Sequence, residues 1–158
     1  MSNTTSTTAI YESDTLEIIA FRLHDQEFCV KTTTIREIRG WAPSTPIPHA
    51  PKEVIGVMNL RGTVIPIIDL AYKLGMPSAA ANERSAIVVT EVKNMIIGML
   101  VDRVSDILTI KGSEVQPAPE ITTSFDKGYT DGIIAREGGM ICFLNLAKMF
   151  QDQEAIAA

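Results

Sequence analysis

Two histidines, two cysteines and a few well-placed carboxylates are the residues of this chain that could do chemistry, and their spacing decides which chemistry is open to them. His24 lies in the turn-like stretch His24-Asp25-Gln26-Glu27 and His49 stands between prolines. Neither shares a metal-ligand spacing with the other or with the cysteines, so no metal is expected. Cys29 and Cys142 sit in FCV and ICF, apolar settings where a lone thiol packs as a small hydrophobe. They give no reason to invoke a disulfide, which fits a reducing cytoplasm. Asp69, Asp102 and Asp106 are the carboxylates available for acid–base work. Asp69, however, stands directly before Leu70-Ala71-Tyr72-Lys73-Leu74 and has a sufficient role as a helix cap. Asp102 and Asp106 flank Arg103 in a turn-like segment, where solvated or locally paired charges are the plainer account. Gly62 and Gly138-Gly139 fall in hairpin tips and not ahead of helix N-termini, so they cradle no phosphate. The seven methionines are scattered at apolar strand positions, as packing residues are. A carboxylate-dependent hydrolase therefore stands only as an alternative, and no cofactor is expected.

Positioning falls to the stretch from Val54 to Leu70. Two apolar runs flank a polar tip carrying Asn59, Arg61 and Gly62, the pattern of a hairpin between two mostly buried strands. Gly62 takes positive φ without a Cβ penalty, so the chain reverses there and presents Arg61 outward. Pro66 cannot donate to a ladder, and its strand is expected to be an edge or bulged at that point. Gly75 and Pro77 close the short helix that Asp69 opens. Arg61 then reads either as a plain solvated turn residue or, together with Asn59, as a recognition residue carried on a rigid scaffold, where such residues are commonly placed.

The same pattern is written twice. A shift of 76 places Gly56–Leu74 on Gly132–Phe150 without a gap, with Asn145 replacing Asp69 as the cap. A weaker echo at a shift of 69 aligns Phe28-Cys29-Val30 and Thr34–Ile38 with Ile97-Gly98-Met99 and Arg103–Ile107. One unit of roughly 65 residues is therefore used twice. The copies differ most at the tip: Asn59-Leu60-Arg61 in one, Ala135-Arg136-Glu137 in the other.

In chain order, strands are expected at Leu16–Leu23, Phe28–Lys31, Ser85–Val92, Met95–Val101 and Ile107–Ile110, besides the two repeated hairpins. Thr32–Ile38 reads either as a short Thr-capped helix or as a bent continuation of the strand. Pro43, Pro46, Pro48 and Pro51 exclude regular structure and cross a barrel wall, a part played in the second copy by Gln116–Pro119. Asp102–Asp106 interrupts the apolar pattern, Ser124–Asp131 is loop-like, and a final helix runs from Leu146 to about Gln153. Short strands with tight turns indicate an all-β protein of two barrels, about five strands each. The division expected is a flexible tail over 1–15, then one domain over 16–154 made of sub-barrels at about 16–77 and 84–150 that share an apolar interface.

Composition removes further classes. A net charge of −5 with no Lys/Arg cluster argues against nucleic acid, and six per cent aromatics with one Trp give little to stack bases on. Nothing approaches the ~18 consecutive apolar residues of a membrane span. The N-terminus lacks the blocks of a secretion signal. These residues alone point to an acidic, cytoplasmic, non-catalytic interaction module, monomeric by itself.

Three segments taken together carry a resemblance. Ile35-Arg36-Glu37-Ile38-Arg39-Gly40, then Ile55–Gly62 (IGVMNLRG) with Ile65–Leu70 (IPIIDL), then Val101–Ile107 (VDRVSDI) resemble the CheW family of chemotaxis coupling proteins. The match runs from about Leu16 to Phe150, and the chain looks like a free-standing member, with no kinase or phosphoacceptor domain beside it. The resemblance implies two five-stranded SH3-like barrels with short helices, the N-terminal strand exchanged between them. It implies a scaffold without catalysis that joins the cytoplasmic tips of methyl-accepting chemoreceptors to the regulatory domain of the chemotaxis histidine kinase. Rings or arrays of adaptor and kinase modules would then lie beneath the inner membrane. Receptor contacts carry over to Asn59, Leu60 and Arg61 and to a groove at Ala86, Val104 and Ile107. Kinase contacts carry over to Ile35, Glu37 and Arg39, with Trp41 nearby as an anchor or a half-buried barrel residue. The alternative within this class is a diverged small-barrel module for another receptor or kinase system.

Overall fold

Alternating and continuous apolar runs become strands along most of the chain. The computed structural model describes residues 15–78, 81–117, 129–136 and 138–150. The N-terminal tail up to residue 14, most of the loop expected at 124–131 and the helix end beyond Phe150 lie outside the described residues. β1 (Thr15–Leu23) and β2 (Gln26–Lys31) form the opening hairpin. Thr32–Thr34 makes a single 3₁₀ turn and β3 (Ile35–Gly40) follows, so the TTTIREI stretch is a turn and then a strand. β4 (Val54–Leu60), β5 (Thr63–Asp69) and the helix α1 (Leu70–Lys73) complete the first half. The second half runs β6 (Ala86–Val92), β7 (Met95–Val101), β8 (Arg103–Lys111), β9 (Val115–Gln116), β10 (Thr130–Arg136), β11 (Gly139–Leu144) and α2 (Leu146–Met149).

The interruption expected over 102–106 is corrected: β8 starts at Arg103. Arg103, Ser105 and Asp106 are polar because they lie exposed on a strand at the edge of its sheet.

The strands make two sheets, ordered β8-β1-β2-β11-β10-β9 and β3-β6-β7-β5-β4, and these form two SH3-like barrels. The first has six strands where five were expected, the extra one being the two-residue β9. The sub-barrel boundaries at 16–77 and 84–150 do not describe this arrangement. The whole hairpin β1–β2, and not one strand, belongs to the sheet of the second half, while β6–β7 belongs to the sheet of the first.

The exchange is reciprocal and obeys the repeat. β5 runs parallel to β7 with Ile67 opposite Gly98, and β11 runs parallel to β2 with Phe143 opposite Cys29. Adding 76 to Ile67 gives Phe143, and subtracting 69 from Gly98 gives Cys29. The edge strands match in the same way: Ile38 lies opposite Val88, and Ile107 lies opposite Ile19. Even the bulges correspond, with the register slipping at Arg36 in β3 and at Ser105 in β8.

Each barrel has its own core, one around Ile18, Cys29, Ile134 and Phe143, the other around Leu60, Ile65, Ile87 and Val89. Between them lies a larger shared core, drawn among the described residues in equal numbers from 19–74 and 86–150 and including Phe21, Phe28, Ile68, Met99, Leu144 and Phe150. β1 serves both: Ile18 and Ala20 face its own barrel while Ile19, Phe21 and Leu23 face the shared core. Two buried faces explain why such strands read as continuous apolar runs.

Both caps are present. The Asp69 side chain accepts from the Tyr72 N–H at 3.2 Å and that of Asn145 from the Lys148 N–H at 3.0 Å. The backbone N–H groups of these two caps donate at 2.7 Å to the carbonyls of Glu53 and Tyr129, again 76 residues apart. The proline segment is irregular apart from a bridge between Thr45 and Val57, the counterpart of Gln116 opposite Ile133. A Cβ on Gly56 would lie 2.5 Å from the Thr45 carbonyl oxygen, and one on Gly132 would lie 2.7 Å from that of Gln116. Pro66 is neither on an edge strand nor at a bulge: it pairs with Val57, and pairing of β5 with β7 begins only at the next residue, where a backbone donor is available again.

Candidate functional site

The β4–β5 ladder closes with Asn59 opposite Val64 and Leu60 opposite Thr63, leaving Arg61 and Gly62 as a two-residue loop. Their φ values, 52° and 90°, are both positive, as a type I′ turn requires to match the strand twist. The Gly62 N–H donates to the Asn59 Oδ1 at 2.7 Å. Leu60 is buried against Ile65 in the barrel core, so it anchors the tip from inside and presents little surface.

The Arg61 side chain is 72% exposed, and its Nη1 lies 2.7 Å from Glu37 Oε1. Arg39 Nη1 donates to Glu37 Oε2 at 2.9 Å. The Arg39 hydrogen bond, then that of Arg61, holds the Glu37 carboxyl below its usual value. Arg36, on the bulge of β3, pairs with Glu91. Arg36, Glu37, Leu60, Arg61, Thr63, Ile65 and Ile96 line one shallow cleft at this end of the barrel. The structure therefore joins what sequence reasoning kept apart: Arg61 from the receptor set is ion-paired with Glu37 from the kinase set. Ile35 is half-buried beside them, packed on the shared core.

The groove residues lie elsewhere. Glu37 is opposite Val89 but Ala86 is opposite Gly40, at the far end of β6. Ala86 is buried in the shared core, Val104 is half-buried against that core, and Ile107 is 57% exposed on the edge strand β8. Trp41 is half-buried in a small cleft with Ile55, Ile67, Ile87 and Leu100. Sequence reasoning passed over Ile38, Val64 and Met140, all exposed apolar side chains. The repeat carried the signal, because Ile38 aligns with Ile107 at a shift of 69 and Val64 with Met140 at a shift of 76.

The residues weighed for chemistry have local duties. Asp102 Oδ2 accepts from the His24 N–H at 2.6 Å and the His24 ring Nε2 lies 2.5 Å from the Pro77 carbonyl oxygen, tying the β1–β2 turn to the β7–β8 junction and to the segment after α1. Asp106 Oδ1 accepts from the N–H of Ile107 at 2.9 Å. Burial pushes the Cys29 thiol far up, which leaves it unreactive. Among the described residues no group of three His, Cys, Asp or Glu is placed to hold a metal, and no helix is long and apolar enough to cross a membrane.

Fold and surface define a binding scaffold: two interleaved small barrels presenting an ion-paired hairpin tip. The family model described as a CheW-like domain matches residues 17–154. Chemotaxis protein CheW of Rhizobium meliloti (strain 1021) is 50% identical over 142 residues, covering 90% of this chain and 92% of that protein. The CheW of Klebsiella aerogenes is 30% identical over 138 residues, covering 87% of this chain and 83% of that one. The crystal structure of the scaffolding protein TtCheW from Thermoanaerobacter tengcongensis superposes with a TM-score of 0.80 at 28% identity, covering 87% of this chain and 94% of that one. The chain belongs to the CheW-like family and is a chemotaxis coupling adaptor.

Proposed function

We propose that the chain works without catalysis, holding the cytoplasmic tips of chemoreceptors and the regulatory domain of the chemotaxis histidine kinase in one complex beneath the inner membrane. It folds as one unit over about residues 16–154, is monomeric alone, and enters rings or arrays with its partners. Arg61 makes the receptor contact at the tip, with Asn59 and Leu60 behind it, and Ala86, Val104 and Ile107 shape a second receptor contact. Ile35, Glu37 and Arg39 face the kinase.

The observation that supports this reading best is the 2.7 Å ion pair between Arg61 and Glu37, because a residue proposed for each partner then shares one exposed tip. A charge lost at either residue is then felt at both contacts, whereas Ile107 lies outside the cluster. Titration calorimetry with a receptor cytoplasmic fragment and with the kinase regulatory domain tests this. Arg61→Glu is expected to weaken both partners, receptor more than kinase, and Ile107→Asp the receptor alone. Equal loss of both partners from Ile107→Asp would refute the assignment of surfaces.

A further inference from the structure

We infer that Asn59 is a positioning residue: its side chain locks the hairpin tip in the left-handed conformation that aims Arg61, and it does not itself touch the partner. This rests on the reading above that the tip is a contact surface.

Arg61 occupies the first loop position of a type I′ turn at φ 52°, a place that Asn, Asp or Gly fills without strain and a long side chain does not. Gly62, at φ 90°, relieves only the second position. In such a loop the closing ladder pair is Leu60 with Thr63, so the Gly62 N–H stands outside the ladder. Asn59 Oδ1 takes that N–H at 2.7 Å, the only side chain of the tip bonded to its backbone among the described residues. The bond spans the strained residue and opposes relaxation of the loop to another turn type. The Arg61 stem is thereby fixed at its base while Glu37 fixes its guanidinium head at 2.7 Å. The second copy has Ala135 in the place of Asn59 and Glu137 in the place of Arg61, so lock and presented arginine occur together in one copy and are both absent from the other.

The test uses the full chain with Asn59→Ala, Asn59→Asp, Arg61→Ala and the double variant Asn59→Ala/Arg61→Ala. Two readouts are followed: affinity for the receptor fragment, and NMR titration of the Glu37 carboxyl. Asn59→Ala is expected to weaken binding by roughly tenfold, within the range of interface side chains that matter. Asn59→Asp keeps the acceptor oxygen and loses the amide donors, and it should bind within about threefold of the parent. In the Arg61→Ala background, Asn59→Ala should cost nothing further. The Glu37 titration should move upward in Asn59→Ala as Arg61 drifts from it. Additive losses in the double variant, or a fall in Asn59→Asp as deep as in Asn59→Ala, would make Asn59 a direct contact and overturn the inference. An unmoved Glu37 titration in Asn59→Ala would also overturn it. If Arg61→Ala leaves receptor affinity unchanged, the tip is not the receptor contact, and the Glu37 titration alone then decides whether Asn59 positions Arg61.

Discussion

Phe150→Ala probes whether the two barrels are one folding unit. Phe150 is fully buried in the shared core, and its ring lies 5.7 Å from the Nζ of Lys73, which α1 of the first half supplies. Its repeat counterpart is Leu74, also in that core. Truncating such a ring removes its transfer free energy and leaves a cavity, a loss of about 3–5 kcal/mol. For a chain of this size each kcal/mol lowers Tm by roughly 2–4 °C, so a fall of roughly 6–20 °C is expected. Scanning calorimetry should show one transition before and after, with calorimetric and van't Hoff enthalpies in agreement. That follows from the pairing, because neither half can lose its strands without breaking the parallel ladders β5–β7 and β2–β11 at once. Two resolved transitions, one of them unmoved by the substitution, would refute the interleaved core as a single cooperative unit.

The helix caps should act as equivalents: Asp69→Ala and Asn145→Ala each cost about 1 kcal/mol in chemical denaturation, and a cap whose removal is silent is not holding its helix. Gly56→Ala and Gly132→Ala should each cost about 1–3 kcal/mol, because the neighbouring backbone carbonyl must shift, while Gly139→Ala meets nothing within 4 Å and serves as the control. Glu37, held between Arg39 and Arg61, should titrate below its usual 4.5. Its charged cluster is complete above that pH and is lost as pH falls through the lowered value; an NMR titration at or above the usual value would contradict the ion pairs.

What was legible in the sequence was local. Asp69 and Asn145 declare themselves as caps because a cap answers to residues two or three positions away. The Arg61-Gly62 turn declares itself for the same reason. The repeat revealed two barrels, and the family resemblance supplied their SH3-like form. Which hairpin enters which sheet was not legible, since Ile67 finds Gly98 and Phe143 finds Cys29 through parallel pairings that leave no mark on apolar alternation. Distance in sequence also hid the pairing of Arg61 with Glu37, which depends on β3 docking beside β6. The resemblance makes Leu60 and Ala86 contact residues, whereas the structure buries both. The start of β8 is hidden in the sequence because the polarity of an exposed edge strand looks like that of a turn.

The most direct measurement is sedimentation velocity of the chain mixed with both the receptor cytoplasmic fragment and the kinase regulatory domain. A coupling adaptor gives a boundary containing all three proteins, faster than either two-component mixture and dependent on the chain being present. A chain that binds neither partner, or that binds each only by excluding the other, would contradict the account.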